Sequence, residues 1–137
     1  MKASGSFHIL LADDDEDDQE MLKEALMAEM PGVEVKTVGN GQDALSYLKD
    51  CPRQGLPQLI VLDYKMPLLN GAETAQRLTD DPRYSAIPVV VWSTSNQPQY
   101  RENSLKSGAL RYFVKPDSRR DLMSMAQTML TLGQRDG

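Results

Sequence analysis

The stretch HILLADDDEDD, residues 8–18, runs a short apolar segment directly into six consecutive acids. Residues 9–12 have the length of one strand and no polar residue among them, the pattern of a parallel strand buried on both faces. Asp13, Asp14, Asp15, Glu16, Asp17 and Asp18 then gather like charge at the carboxyl end of that strand. Acids in the first turn of a helix complement the positive end of its dipole. That accounts for Glu16, Asp17 and Asp18 as a solvated helix start, with Asp15 as the cap or its neighbour. Asp13 and Asp14 precede the helix and need another reason to be there.

Moving outward, residues 59–62, 89–92 and 112–114 repeat the short apolar run, and each reads as a buried parallel strand. Residues 33–38 alternate apolar with polar and suit a sheet edge. Helical stripes lie between them: Met21, Leu22, Ala25 and Leu26, ended by Pro31 and Gly32; Ala44, Leu45 and Leu48 after Asn40 and Gly41; Ala72, Ala75 and Leu78, stopped by Pro82. The segment 98–108 has the weakest pattern, with only Tyr100 and Leu105 large and apolar. The last helix starts near Asp117 and Ser118 and carries Leu122, Met125, Ala126, Met129 and Leu130. Five alternations of strand and helix predict an α/β domain, an open five-stranded parallel sheet with helices on both faces and right-handed crossovers. Residues 51–57 read as a surface loop, because the periodic pattern resumes directly after them.

The 137 residues suit one domain, expected over residues 7–133, with residues 1–6 a flexible N-terminus, 134–137 a C-terminal tail and no output domain. No apolar run approaches the roughly 18 residues that would cross a bilayer. Residues 1–6 are small and polar with nothing suited to export, so the cytoplasm is the expected compartment and no membrane partner is implied. One cysteine, Cys51, and one histidine, His8, exclude an internal disulfide and a structural zinc site. His8 reads as structural. Fifteen basic against twenty acidic residues, a net charge of -5, disfavour neutralising a phosphate backbone, so nucleic acid is not an expected partner.

In open parallel sheets ligands bind beyond the carboxyl ends of the strands, where the strand order reverses. Asp13 and Asp14 follow the first strand, Asp63 the third, Ser93 the fourth and Lys115 the fifth. Two carboxylates ~4 Å apart repel by about 4 kcal/mol at an effective dielectric of ~20, so clustered acids call for a cation. Oxygen-only ligands suit a hard one, Mg2+ first. A calcium-loop alternative does not hold. Asp13, Asp15, Asp17 and Glu24 fall at its ligand positions, but Asp18 stands where the turn requires glycine and a strand-like run precedes the loop.

Five motifs in order give the chain a resemblance to the receiver domains of two-component response regulators, of the stand-alone, chemotaxis-regulator type: the Asp13–Asp14 pair; VLDYKMPLLNG at 61–71; IPVVVWSTS at 87–95; Ser-Gly-Ala at 107–109; and YFVKP at 112–116. The resemblance covers about residues 7–132. It implies a flavodoxin-like receiver fold with strand order 2-1-3-4-5, and Asp63 as the acceptor of a phosphoryl group from a sensor histidine kinase or a histidine phosphotransfer protein. It further implies Mg2+ held by Asp14, Asp63 and the backbone carbonyl of Lys65, with Asp13 acting through water. Lys115 and Ser93 would meet the phosphoryl oxygens, and Ser93 with Tyr112 would switch a helix 4, strand 5, helix 5 face toward an unknown downstream protein or a homodimer. Once Ser93 is drawn inward, the Tyr112 ring would fill the space it leaves. Asn70–Gly71 is expected to turn with a positive φ, and Lys115–Pro116 is a candidate cis bond.

Trp92 reads as core, where the family commonly has a smaller residue; Met123, Met125 and Met129 read as ordinary core, with an adaptable docking face as the alternative, and Tyr112 reads equally as plain packing or as part of the switch. Thr94, where the family prefers a very small residue, and Lys65, two beyond the acceptor, both border the path of an attacking water. The loop at 51–57 and the 81–95 segment resemble a subgroup of stand-alone receivers, some serving phytochrome-type kinases. Two other functions compete. A Mg2+-dependent phosphohydrolase with an aspartyl-phosphate intermediate would carry an acid where Lys65 stands, and a binding module of the same fold that is never phosphorylated would not need the intact set of Asp13, Asp14, Asp63, Ser93 and Lys115.

Overall fold

The computed structural model describes residues 7–134. Five strands alternate with five helices: β1 (His8–Ala12), α1 (Glu16–Glu29), β2 (Glu34–Val38), α2 (Gly41–Asp50), β3 (Leu59–Asp63), α3 (Gly71–Asp80), β4 (Val89–Ser93), α4 (Pro98–Lys106), β5 (Arg111–Val114) and α5 (Arg119–Gln134). The strands pair in parallel in the order β2-β1-β3-β4-β5. The chain leaves β1 toward one edge and returns at β3 toward the other, so the carboxyl ends of β1 and β3 flank the reversal point.

The continuous apolar runs conceal a period of two. Leu10, Ala12, Ile60, Leu62, Val89 and Val91 pack against α2 and α3, while Ile9, Leu11, Val61, Val90 and Trp92 pack against α1 and α5. A strand covered on both faces needs apolar residues at every position, which explains runs without alternation. Ile9, Leu10, Leu11, Leu59, Ile60 and Leu62 are at most 1% exposed; at about 25 cal/mol per Å2 such side chains contribute roughly 1.5–3 kcal/mol each.

Helix starts are set by short polar side chains. Asp15 caps α1 by accepting from Asp18 N at 3.1 Å, and Asn40 caps α2 through Asp43 N at 2.7 Å. Asn70 and Glu73 form a reciprocal capping box at α3, and Ser118 Oγ accepts from Asp121 N at 3.1 Å at the start of α5. The start of α4 has no side-chain cap; the helix opens on Pro98 and buries only Ser104. Its weak pattern in the sequence therefore reflects a helix attached by few apolar side chains. No helix among the described residues is long and apolar enough to cross a membrane.

Several expectations change. Met21 is 44% exposed and lies outside the buried stripe of α1, which is Leu22, Ala25 and Leu26. β5 is the second sheet edge, so Val114 is 45% exposed rather than buried on both faces. The Lys115–Pro116 bond is trans, the form favoured by about 0.5–1 kcal/mol before proline when nothing enforces the other. The left-handed residue of the β3–α3 loop is Leu68, with φ 73°, and Gly71 is glycine for a different reason: a Cβ there would lie 2.6 Å from the carbonyl oxygen of Asp63. The loop at 51–57 contains a single 3-10 turn, Arg53–Gly55. α5 is described through Gln134, and the expected flexible segment 1–6 and residues 135–137 of the expected tail lie outside the described residues.

Candidate functional site

The carboxyl ends of β1 and β3 bring Asp13, Asp14 and Asp63 together, with one carboxylate oxygen of each within 4.8 Å of the others. Asp13 is fully buried. Its backbone N–H donates to Val38 O at 3.0 Å, extending the β1–β2 ladder by one step, and its Oδ1 accepts from Asp15 N at 2.8 Å. Gln19, one turn into α1, donates to the carbonyls of both Asp13 (2.6 Å) and Val38 (3.2 Å), tying the helix to the two strand ends. Asp14 faces solvent, and Asp63, the last residue of β3, is 5% exposed.

Lys115 reaches this pocket from the far edge. Its backbone N–H donates to Ser93 O at 2.7 Å, and its side chain crosses β4 so that Nζ stands 4.7 Å from the centroid of the Trp92 ring. The ammonium lies 2.9 Å from Asp13 Oδ2, 2.8 Å from Asp18 Oδ2 and 3.4 Å from Asp63 Oδ1. Asp18 is thus not simply a solvated start of α1. The third helical residue projects back toward the helix N-terminus, and with Asp15 as cap that direction is the strand end; a local pattern gives that direction, and packing supplies the ammonium it meets.

Ser93 is buried at 1% exposure, and its Oγ accepts from Ser95 N at 3.2 Å. Tyr112 is 5% exposed, packs in the core beneath α4 and donates its hydroxyl to Ser95 O at 2.7 Å. Lys65 is exposed, with its ammonium 5.4 Å from the Tyr100 ring centroid. Residues separated by about a hundred positions therefore meet at the carboxyl ends of the strands, where Asp13, Asp14, Asp63, Ser93 and Lys115 lie, whereas Tyr112 sits within β5, opposite Val91.

Burial is the largest influence on Asp63 and, with the charge of Asp13, outweighs Lys115 and pushes the carboxyl up to about 7. Asp13 is also raised, first by burial, despite its contacts with Lys115 and Asp15 N. For Lys115 burial pulls downward, but the hydrogen bond with Asp18 and the contact with Asp13 together hold it well above the ordinary lysine value. One ammonium therefore leaves the carboxylates undercompensated. An all-oxygen donor set with residual negative charge fits a hard divalent cation, and Asp13, Asp14 and Asp63 are the side chains that could hold it.

The family model of the response regulator receiver domain matches residues 9–127. PilH of Pseudomonas aeruginosa is 33% identical over 122 residues, 89% of this chain and 96% of PilH. The chain spans 34% and 64% of the length of two other curated relatives, both response regulators. Among solved structures, the phosphorylated cyanobacterial phytochrome response regulator RcpA superposes with a TM-score of 0.81 at 29% identity, covering 90% of this chain and 91% of RcpA. The Mn(2+)-bound response regulator Rcp1 gives 0.80 at 26% identity, covering 95% and 97%.

Proposed function

The chain belongs to the response regulator receiver domain family, a signalling module rather than a typical enzyme, and from that premise we propose that it takes a phosphoryl group on Asp63 from a histidine of a partner kinase or phosphotransfer protein. The observation that carries this reading is the meeting of Asp13, Asp14 and Asp63 with Lys115 at the β1–β3 reversal point.

In the transfer, an Asp63 carboxylate oxygen forms a bond to phosphorus as the phosphorus–nitrogen bond to the donor histidine breaks, and the electron pair leaves with the imidazole. Little covalent help is needed; positioning and charge compensation dominate such steps. Mg2+, held by Asp14, Asp63 and the Lys65 backbone carbonyl with Asp13 acting through water, would supply the positive charge that offsets the phosphoryl oxygens. Lys115 adds a fixed ammonium beside Asp63, and the Ser93 hydroxyl, at the end of the neighbouring strand, donates to a phosphoryl oxygen. Turning toward that oxygen takes the Ser93 hydroxyl away from Ser95 N, in the loop that Tyr112 grips through Ser95 O. The change would then be read on the α4–β5–α5 face, where Leu105, Leu110 and Val114 are exposed, by a downstream protein or a second copy of the chain. A phytochrome-type kinase is the first donor to try, because RcpA is a phytochrome response regulator.

The test is to incubate the protein with Mg2+ and acetyl phosphate and record intact mass with Trp92 fluorescence. One added phosphoryl group per chain, absent without the metal and absent in Asp63→Asn, is the expected result. No mass gain and an unchanged spectrum would overturn the reading.

A further inference from the structure

We propose that Asp18 is a positioning residue for Lys115, holding the ammonium in the acid pocket beside Asp63. This rests on the phosphoacceptor reading of the same site and adds a residue to it.

Lys115 starts two strands away from Asp63, since β4 lies between β3 and β5. A lysine stem is long and flexible, and an ammonium that must cross a neighbouring strand has many other places to go. Two features restrict it. The Trp92 ring lies close to the ammonium, and Asp18 Oδ2 takes its hydrogen bond at 2.8 Å. Asp13 Oδ2 is nearby at 2.9 Å, yet that buried oxygen has no partner of hydrogen-bond geometry, so its contact is an ion pair without direction. The contact to Asp63 Oδ1 is the longest of the three, at 3.4 Å.

An ammonium has three donors. With one fixed on Asp18, the other two are not committed to a directed bond, and the contact to Asp63, the longest of the three, can be exchanged for one to a phosphoryl oxygen without releasing Asp18. Asp18 itself is fixed from behind. Its own backbone N–H donates to the cap residue Asp15, and Asp15 N donates to Asp13 Oδ1. The start of α1 therefore locates the lysine that serves the acceptor on β3.

The experiment compares wild type, Asp18→Asn, Asp18→Ala and Lys115→Met, each first confirmed folded by its melting curve. With acetyl phosphate at saturating Mg2+, the phosphorylation rate followed by intact mass should fall about tenfold in Asp18→Ala and less in Asp18→Asn, which keeps an acceptor oxygen. Adding Asp18→Ala to Lys115→Met should cost nothing further, because Asp18 acts only through the ammonium. A rate in Asp18→Ala equal to wild type, or an undiminished loss in the Lys115→Met background, would overturn the proposal. A second readout needs no phosphorylation: the Lys115 side-chain ammonium signal in nitrogen-15 NMR should be resolved in wild type and lost in Asp18→Ala. If wild type takes no phosphoryl group, the phosphoacceptor reading fails, and this signal alone decides whether Asp18 holds Lys115; its persistence in Asp18→Ala would overturn the hold.

Discussion

The ring of Tyr64, the residue that follows Asp63, stacks on the ring of Tyr100 in α4, with centroids 4.3 Å apart and planes 16° apart. Asn103 adds a hydrogen bond to the Tyr64 hydroxyl at 3.0 Å. The site loop and the least firmly attached helix are therefore in direct contact. Tyr100→Ala removes the pair, worth about 0.5–1.5 kcal/mol beyond its buried area. Hydrogen exchange should accelerate in 98–106 and change little in β1 or β3; uniform acceleration would mean that α4 does not open separately.

A second expectation concerns pH. Asp63 is raised from 3.8 to about 7, chiefly by burial and then by Asp13. Its stability contribution is complete below 3.8 and is lost as pH rises through about 7, because ionising the buried group costs the folded state. In chelator, wild type should lose stability across that window by up to about 3–4 kcal/mol, and Asp63→Asn should flatten the curve. Asp13 is raised in the same direction, so a smaller slope should remain in the variant. Lys115 lies outside this window. Denaturant titrations at several pH values check the difference; parallel curves for both proteins would refute it.

Gly71 is required by proximity. A Cβ would stand 2.6 Å from Asp63 O and 3.0 Å from Tyr64 Cα, both backbone atoms that cannot swing aside. Gly71→Ala should cost about 1–3 kcal/mol and disturb the site loop, seen as a lower denaturant midpoint together with weaker Mg2+ binding. Full stability in this variant would show that the loop yields more easily than its contacts suggest.

Tyr112→Phe removes the 2.7 Å hydrogen bond to Ser95 O while keeping the ring. A loss of about 1 kcal/mol is expected, with faster hydrogen exchange confined to the 94–97 segment. If the switch runs through this bond, the Trp92 response to acetyl phosphate should change amplitude while the mass gain persists.

The order of strands and helices was legible because a doubly covered parallel sheet demands apolar residues at every strand position and leaves turn chemistry at the ends. Asn40, Asn70, Asp15 and Ser118 each begin a helix as their side chains suggest. The weak pattern of 98–108 also proved informative, since α4 buries only Ser104.

By itself the sequence determined which groups could do chemistry: carboxylates after the first and third strands, a hydroxyl after the fourth and an amine after the fifth. Tertiary structure alone decided how those groups share their charges. Which carboxylate receives the Lys115 hydrogen bond depends on a helix start, a strand crossing and the Trp92 ring meeting at angstrom range, and no local pattern encodes a distance. For the same reason Asp18 looked like one more solvated acid until packing set it against the ammonium, and Gly71 looked like a turn residue until the chain folded back onto Asp63.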